Sequence, residues 1–161
     1  MLLETRQFGV VEVPDEEIIH FPKGLLGFET LERYIIIDNS ECQPFRWLQS
    51  VDAPELAFVI VNPVVFFPDY KVVVHAKEVA DIGVRDPRDV QIEVIVTIPS
   101  EFDQMSANLQ GPLLINFQNR TAKQLVLTNS DFGVQHLIVE QLDRKSKGLT
   151  KHQVTAVEFS R

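Results

Sequence analysis

The residue types that most often bind metals or carry catalysis are scattered along this chain of 161 residues. Its four histidines are His20, His75, His136 and His152. No two of them lie three or four residues apart, the spacing that would place two metal ligands on one side of a helix. The single cysteine, Cys42, can form neither an internal disulfide nor a cysteine-based zinc site. The sequence therefore predicts no metal site and no bound cofactor.

Acidic side chains occur in close pairs, which is one requirement of general acid–base catalysis. The pairs are Asp15 with Glu17, Asp86 with Asp89, and Glu101 with Asp103. Such catalysis also needs one carboxyl group to be removed from water so that its pKa rises. Every pair lies beside proline, serine or further charges, which is typical of solvated loops. We therefore predict no catalytic residues, because a hydrolase would need a histidine and a carboxylate or hydroxyl assembled from distant parts of the chain.

The charge of the chain limits the partners that it can have. Fifteen Lys and Arg side chains stand against 23 Asp and Glu, so the formal net charge is −8. Nucleic acids and anionic membranes are bound by basic surfaces, so both partners are disfavoured and a basic protein partner is favoured. The longest apolar run has six residues, and no basic stretch followed by an apolar one opens the chain. Both observations predict a cytoplasmic protein.

Branched aliphatic residues dominate the composition, since 21 valines and 12 isoleucines stand against seven alanines. That ratio indicates strands rather than helices. Predicted strands span 2–5, 9–13, 18–21, 34–38, 45–50, 56–61, 72–75, 90–98, 113–117, 123–128 and 135–142. A short helix is predicted over 76–81, with Gly83 ending it. Short, regularly spaced strands without long helices predict a mostly β protein, a small antiparallel, partly closed β-barrel with short helical turns.

The length of the chain favours one domain with a tail. We assign residues 1–142 to a single β-barrel domain and residues 143–161 to a polar C-terminal extension that we expect to be mobile. Residues 154–159 nevertheless have the apolar pattern of a strand that could dock. The net charge is −7 over the first 60 residues and +3 over the last 21. The acidic surface is therefore expected to come from the N-terminal part of the barrel.

Two apolar turns have a pattern that either packing or binding explains. Phe66 and Phe67 are adjacent and lie between two prolines, so both rings cannot point into one face of a central strand. They either cap one end of the barrel or form an exposed patch that receives a partner's side chains. Phe28, in the glycine-rich turn at 22–28, presents the same choice.

Several short motifs occur in a distinctive order and spacing. They are Glu4-Thr5-Arg6-x-Phe8-Gly9, Phe21-Pro22-Lys23-Gly24-Leu25-Leu26-Gly27-Phe28-Glu29, Phe45-Arg46-Trp47-Leu48-Gln49-Ser50-Val51-Asp52, Leu56-Ala57-Phe58, Phe66-Phe67-Pro68-Asp69-Tyr70 and Met105-Ser106-Ala107-Asn108-Leu109-Gln110-Gly111-Pro112. With these motifs the chain resembles the flagellar assembly factor FliW family over about residues 2–128. It departs from the family at Lys23 and Leu26, where glutamate and proline are usual.

The resemblance implies a small β-barrel without enzymatic activity that binds two protein partners. Members of this family bind flagellin in the cytoplasm until flagellin is exported. The freed factor then binds the RNA-binding carbon storage regulator CsrA beside its RNA site, which lifts the repression of flagellin translation. The resemblance thus implies a chaperone-like translation regulator, and we expect the protein to be monomeric when it is alone.

Charge and apolarity suggest a surface for each partner. For basic CsrA we predict an acidic set, which consists of Asp15, Glu16, Glu17, Glu29 and Glu32. For the amphipathic terminal helices of flagellin we predict an apolar set, which consists of Leu25, Phe28, Phe66, Phe67 and Tyr70. The sequence leaves open whether the two partners share one surface. An alternative function is that of a β-barrel that binds a small apolar ligand, which would need an apolar cavity above about 300 Å³.

Overall fold

Strands make up most of the regular structure of this protein. Its structure is a computed structural model that describes residues 1–128, 132–138 and 157–160. In chain order the strands are β1 (Leu2–Thr5), β2 (Gly9–Glu12), β3 (Ile19–His20), β4 (Arg33–Ile37), β5 (Arg46–Ser50), β6 (Ala57–Val61), β7 (Val72–His75), β8 (Gln91–Thr97), β9 (Ser106–Ala107), β10 (Leu113–Asn116), β11 (Thr121–Gln124), β12 (His136–Leu137) and β13 (Val157–Ser160). The described residues also contain a short α-helix, α1 (Ala76–Val79). Turns of 3₁₀-helix lie at Asp15–Glu17, Ser40–Cys42, Pro63–Val65, Ala80–Ile82, Pro87–Asp89 and Phe102–Gln104.

Seven of these strands close into a ring. The order around it is β10-β11-β3-β4-β5-β6-β8, and β8 then pairs with β10. The ring is closed because β8 pairs with β6 along one edge, and with β10 and then β9 along the other. Beyond β9 the sheet continues into β12. The predicted β-barrel is confirmed; its closure is complete, and the pairing between β11 and β3 is parallel where all the other pairings in this sheet are antiparallel.

The barrel interior is filled by one apolar cluster to which all seven ring strands contribute. Its members are Ile19, Phe21, Leu25, Tyr34, Leu48, Ile60, Leu113, Ile115 and Ala122, with Leu31, Ile36, Phe58, Ile95 and Phe117 partly buried against them. Alternation explains this composition, because every second side chain of a strand points to the same face. We therefore take the faces of the ring strands that carry these residues as the inside of the barrel.

Two outer layers cover the outside of the barrel. On one side, β7, α1 and β13 pack with the outward side chains of β6, β8 and β10, among them Val61, Val94 and Leu114. This outer cluster is the largest of the three apolar clusters among the described residues. On another side, the hairpin of β1 and β2 contributes Leu3 to a small cluster around Ile35 of β4. The barrel is thus buried on both faces along much of its wall.

The shorter elements also test the sequence predictions. The helix predicted over 76–81 is confirmed as α1 followed by the turn Ala80–Ile82, which ends at Gly83 with a φ of +75°. In the C-terminal extension, Val157–Ser160 forms β13, in agreement with the docking strand considered for 154–159. Residues 143–156, where we expect mobility, lie outside the described residues, as do residues 139–142 of the last predicted barrel strand.

An ion pair lies inside the barrel. Glu93 of β8 is fully buried, and its carboxylate contacts the guanidinium of Arg46 on β5. The side-chain amide of Gln91 donates a further hydrogen bond of 3.3 Å to Glu93 Oε1. Asp38 Oδ1 also lies 3.9 Å from Nε of this arginine. The alternation predicted for β8 is confirmed, because Ile92, Val94 and Val96 face the outer cluster; Glu93 lies on the opposite face, which is the barrel interior.

Removal of Arg46 should therefore destabilise the fold. Arg46→Met would leave the Glu93 carboxylate buried without its cation, and we expect the free energy of unfolding to fall by about 3–5 kcal/mol. The double variant Arg46→Met with Glu93→Gln removes both charges and should recover a substantial part of that loss. Urea denaturation followed by circular dichroism measures both. If the double variant is as unstable as the sum of the two single variants, the two side chains do not act as a pair.

Candidate partner-binding surfaces

The glycine-rich loop between β3 and β4 is folded as tightly as its sequence predicts. Gly24 and Gly27 have φ values of +64° and +86°, a region that favours glycine. A Cβ atom on Gly24 would lie 2.6 Å from the carbonyl oxygen of Phe28, so the loop folds back on itself at a distance that only glycine permits. An isolated bridge between Leu25 and Phe28 completes the turn.

Side-chain hydrogen bonds hold the tip of this loop. The amide of Leu26 donates to Oε1 of Gln124 at 2.9 Å, and the amide of Gly27 donates to Oε1 of Glu29 at 3.0 Å. Hydrogen bonds from the backbone amides of Gly27 and of Glu29 itself lower the pKa of the Glu29 carboxyl group. Gln124 also donates from Nε2 to the carbonyl oxygen of Gly111 at 3.0 Å. One glutamine side chain on β11 therefore joins the glycine-rich loop to the loop before β10.

The glycine-rich loop presents two apolar side chains to solvent. Leu26 is 60% exposed and Phe28 37% exposed. The ring of Phe28 rests edge-on against Phe58, with 5.3 Å between centroids, and Phe58 reaches Tyr34 in the interior. Leu25, which we placed in the apolar set, is instead buried in the barrel interior. The sequence did not indicate Leu26 as the exposed leucine of this loop, because Leu25 and Leu26 each lie beside a glycine and no local signal separates them.

The second group of the apolar set is largely inside the protein. Phe66 and Tyr70 are buried in the outer cluster, so our expectation of an exposed patch at these two residues is wrong. The hydroxyl of Tyr70 donates to the carbonyl oxygen of Leu109 at 2.6 Å, and burial raises the pKa of Tyr70. Phe67 is half-buried and meets the ring of His136 edge-on at 5.9 Å. As the fold stands, Phe67 is the member of this group with ring surface available to a partner.

The acidic set occupies two exposed turns. Asp15, Glu16 and Glu17 form the 3₁₀ turn after the β1–β2 hairpin, and all three are exposed. Glu29 and Glu32 are also exposed and follow the tip of the glycine-rich loop. The structure thus presents every member of this set to solvent, and its role in binding CsrA stays a prediction.

Asp52, at the end of the motif that contains β5, supports the second of these turns. Its carboxylate accepts hydrogen bonds from the amides of Glu32 and Arg33 at 3.0 Å each and from Nε of Arg33 at 2.7 Å. Partial burial tends to raise the pKa of Asp52, but these hydrogen bonds and the charge of Arg33 outweigh it, so the pKa is lowered. Asp52 therefore fixes the backbone that carries Glu32, a positioning role that the sequence alone does not indicate.

Comparison with known proteins decides the family. The model of the FliW protein family matches residues 2–138 of the chain. The chain belongs to the FliW family. A flagellar assembly factor FliW from Alkaliphilus metalliredigens is 41% identical over 145 residues, which cover 89% of this chain and 90% of that protein. A flagellar assembly factor FliW from Caldanaerobacter subterraneus is 40% identical over 143 residues, which cover 88% and 95%.

The fold of this FliW-family chain also matches a solved structure. A crystal structure of the flagellar assembly factor FliW superposes with a TM-score of 0.80 at 32% sequence identity, covering 86% of this chain and 96% of that one. The resemblance read from the motifs is therefore confirmed. Among the described residues, no helix is long and apolar enough to cross a membrane. The same part of the chain contains no cluster of three or more histidine, cysteine or acidic side chains suited to a metal ion.

Loss of the Gln124 bridge should loosen the glycine-rich loop. Gln124→Ala removes the acceptor of the Leu26 amide and the donor to Gly111, and we expect the free energy of unfolding to fall by about 1–3 kcal/mol. The amide of Leu26 should then exchange its hydrogen faster, as measured by native-state hydrogen exchange. Gln7→Ala, on the exposed turn between β1 and β2, is the matched control. Unchanged exchange at Leu26 would show that Gln124 does not hold the loop.

Proposed function

We propose that this member of the FliW family is a flagellar assembly factor that binds flagellin in the cytoplasm. When flagellin is exported, the free protein binds and antagonises the RNA-binding translational regulator CsrA. The observation that carries this proposal is the match to the FliW family over residues 2–138, with relatives about 40% identical along most of their length. The protein thereby acts as a chaperone-like regulator of translation rather than as an enzyme.

The glycine-rich loop supplies the best surface for flagellin. Amphipathic helices bind through an apolar face to apolar side chains on their partner. Leu26 and Phe28 offer such side chains, and the hydrogen bonds that the loop amides donate to Gln124 and Glu29 fix the loop before binding. Because an ordered loop loses little conformational entropy when it binds, little of the free energy gained by burying its apolar side chains is lost in ordering the loop. Leu26 thus replaces Leu25 in the apolar set.

Replacing the two exposed side chains tests this surface. Leu26→Ser with Phe28→Ser removes apolar area that flagellin would bury, and we expect the dissociation constant of the flagellin complex to rise about 10- to 100-fold. Isothermal titration calorimetry with purified flagellin measures it. Ile98→Ser, a similarly exposed aliphatic side chain just after β8, is the matched control. Equal affinities for wild type and the double variant would remove this loop from the flagellin surface, and Phe67→Ser would then test the second group.

The acidic set supplies the surface for CsrA. A protein that binds RNA is basic at its RNA site, and a neighbouring protein of net charge −8 repels the phosphates that approach that site. The exposed turn Asp15–Glu17 concentrates three of these charges in three consecutive residues. Long-range attraction of this kind acts mainly on the rate of association and is screened by salt.

Neutralising that turn should slow the association with CsrA. Asp15→Asn, Glu16→Gln and Glu17→Gln together should weaken binding about 3- to 30-fold at low salt, because exposed ion pairs contribute about 0.2–1 kcal/mol each. Stopped-flow or surface plasmon resonance at two salt concentrations separates the rates. Asp69→Asn, Glu101→Gln and Asp103→Asn together neutralise three other exposed acids and are the control for net charge. An unchanged association rate at low salt would rule out the turn as the CsrA surface.

The alternative, a barrel that binds a small apolar ligand, receives less support. Apolar side chains from all seven ring strands occupy the interior. A groove of about 210 Å³ lies instead at the surface beside β9 and β12 and is lined by Thr97, Pro99, Gln104, Ser106, Gln135 and Leu137. This volume is below that of typical ligand sites, about 300 Å³ or more, and most of these side chains are polar. The groove therefore does not suit an apolar ligand.

A further inference from the structure

The β1–β2 hairpin turns one face to the barrel and the other to solvent. Its inward side chains include Leu3, which is buried, and Val11, which is partly buried. Successive side chains of a strand point to opposite faces, so the residues on either side of these two belong to the outward face. We call this the hairpin face, and it consists of the exposed residues Leu2, Glu4, Val10 and Glu12.

The hairpin face brings together two aliphatic side chains that are surrounded by water. Leu2 is 72% exposed and Val10 65% exposed. Each lies directly opposite a glutamate in the antiparallel register, and the two are diagonal neighbours on the same face. The hairpin face is therefore a small apolar centre flanked by two carboxylates.

The open end of the hairpin adjoins the first turn of the acidic set. The amide of Val13, the residue after β2, donates to the carbonyl oxygen of Met1 at 2.7 Å and so closes this end. Only Pro14 separates Val13 from the exposed turn Asp15–Glu17. The hairpin face and this turn are thus parts of one surface.

The closed end of the hairpin approaches the second turn of the acidic set. The amide of Arg6 donates to the carbonyl oxygen of Pro54 at 3.4 Å. Pro54 lies two residues after Asp52, whose carboxylate accepts a hydrogen bond from the amide of Glu32. The hairpin therefore lies between the two turns that carry the acidic set.

The negative charge of this region is not balanced by neighbouring cations. Residues 1–17 contain five acidic side chains and one basic one, so their net charge is −4, half of the −8 of the whole chain. None of the five carboxylates forms an ion pair with another described residue. Apolar side chains between unpaired carboxylates match a protein partner whose basic groups surround an apolar patch.

We propose that the hairpin face is part of the surface that binds CsrA, with Leu2 and Val10 as its apolar centre and with Glu4 and Glu12 as contacts to basic side chains. This inference rests on the CsrA binding proposed above. A basic protein is the occupant because the face adjoins both acidic turns and its own charges are unpaired. The same charges repel nucleic acids, anionic membranes and a second copy of this chain.

The two kinds of contact have separate kinetic signatures. Exposed charges act mainly on the rate of association and are screened by salt. Apolar side chains buried in a complex act mainly on the rate of dissociation, and salt does not screen them. Replacing the aliphatic pair and the acidic pair in turn therefore tests each half of the proposal.

Removal of the aliphatic pair should shorten the lifetime of the CsrA complex. Leu2→Thr with Val10→Thr removes apolar surface and keeps β-branched residues, which suit a strand. We expect the dissociation rate constant to rise about tenfold at both low and high salt, as measured by surface plasmon resonance. Val73→Thr with Ile98→Thr, two similarly exposed aliphatic residues outside the hairpin, is the matched control and should change this rate less than twofold.

Two outcomes for the aliphatic variant would overturn the proposal. One is a dissociation rate equal to that of wild type while circular dichroism shows an unchanged fold. The other is weaker binding of flagellin with unchanged binding of CsrA, which would assign the hairpin face to flagellin.

Neutralisation of the acidic pair should slow association instead. Glu4→Gln with Glu12→Gln should lower the association rate constant about 2- to 10-fold at low salt, and the difference should disappear at high salt. Glu101→Gln with Asp103→Asn removes the same charge from another exposed segment and is the matched control. Equal slowing by the two pairs would mean that net charge alone matters and would remove Glu4 and Glu12 from the interface.

The wild-type protein separates this inference from the function on which it rests. If wild type does not bind CsrA, the proposed antagonism is wrong, and the hairpin face has no such partner. If wild type binds CsrA and both hairpin variants bind it with unchanged rates, the function stands and the hairpin face is wrong.

Discussion

The closing of the ring at β8 is the constraint on which the rest of the structure depends. With seven residues, β8 is the longest described strand, and it alone in the ring pairs with three neighbours. Closure gives each ring strand an inner face that is away from water, so any charge on that face requires a partner inside. Glu93 meets this requirement through Arg46 of β5, which is separated from β8 by β6 alone. The outer face of β8 supports the second apolar cluster, to which β7 and β13 attach.

Most of the barrel can be predicted from the sequence because alternation marks both the length and the faces of a strand. Periodicity predicts β4, β5, β6 and β8 to within one residue at each end, and β7 at its observed bounds. Positive φ values at Gly24 and Gly27 likewise follow from composition, since few other residues adopt them. These features depend on neighbours along the chain, which the sequence displays directly.

Features that depend on contacts between distant parts of the chain are harder to predict from the sequence. Nothing local distinguishes the buried Leu25 from the exposed Leu26; the bond between the Leu26 amide and Gln124, 98 residues away, fixes the orientation of the loop. The burial of Phe66 and Tyr70 likewise depends on the layer that covers β6 and β8. The exposure of the acidic turn at Asp15–Glu17 is easier to predict from the sequence, because consecutive charges after a proline almost always remain solvated.

The position of Trp47 gives the protein an internal optical probe. Trp47 alternates with the inward Leu48 on β5, so it lies on the outside of the barrel wall, where the ring of Phe8 meets it edge-on at 5.5 Å. Phe8 belongs to the turn between β1 and β2. As the only tryptophan of the chain, Trp47 has an emission that reports on the docking of this hairpin. Detachment of the hairpin is therefore visible by fluorescence while the barrel itself remains folded.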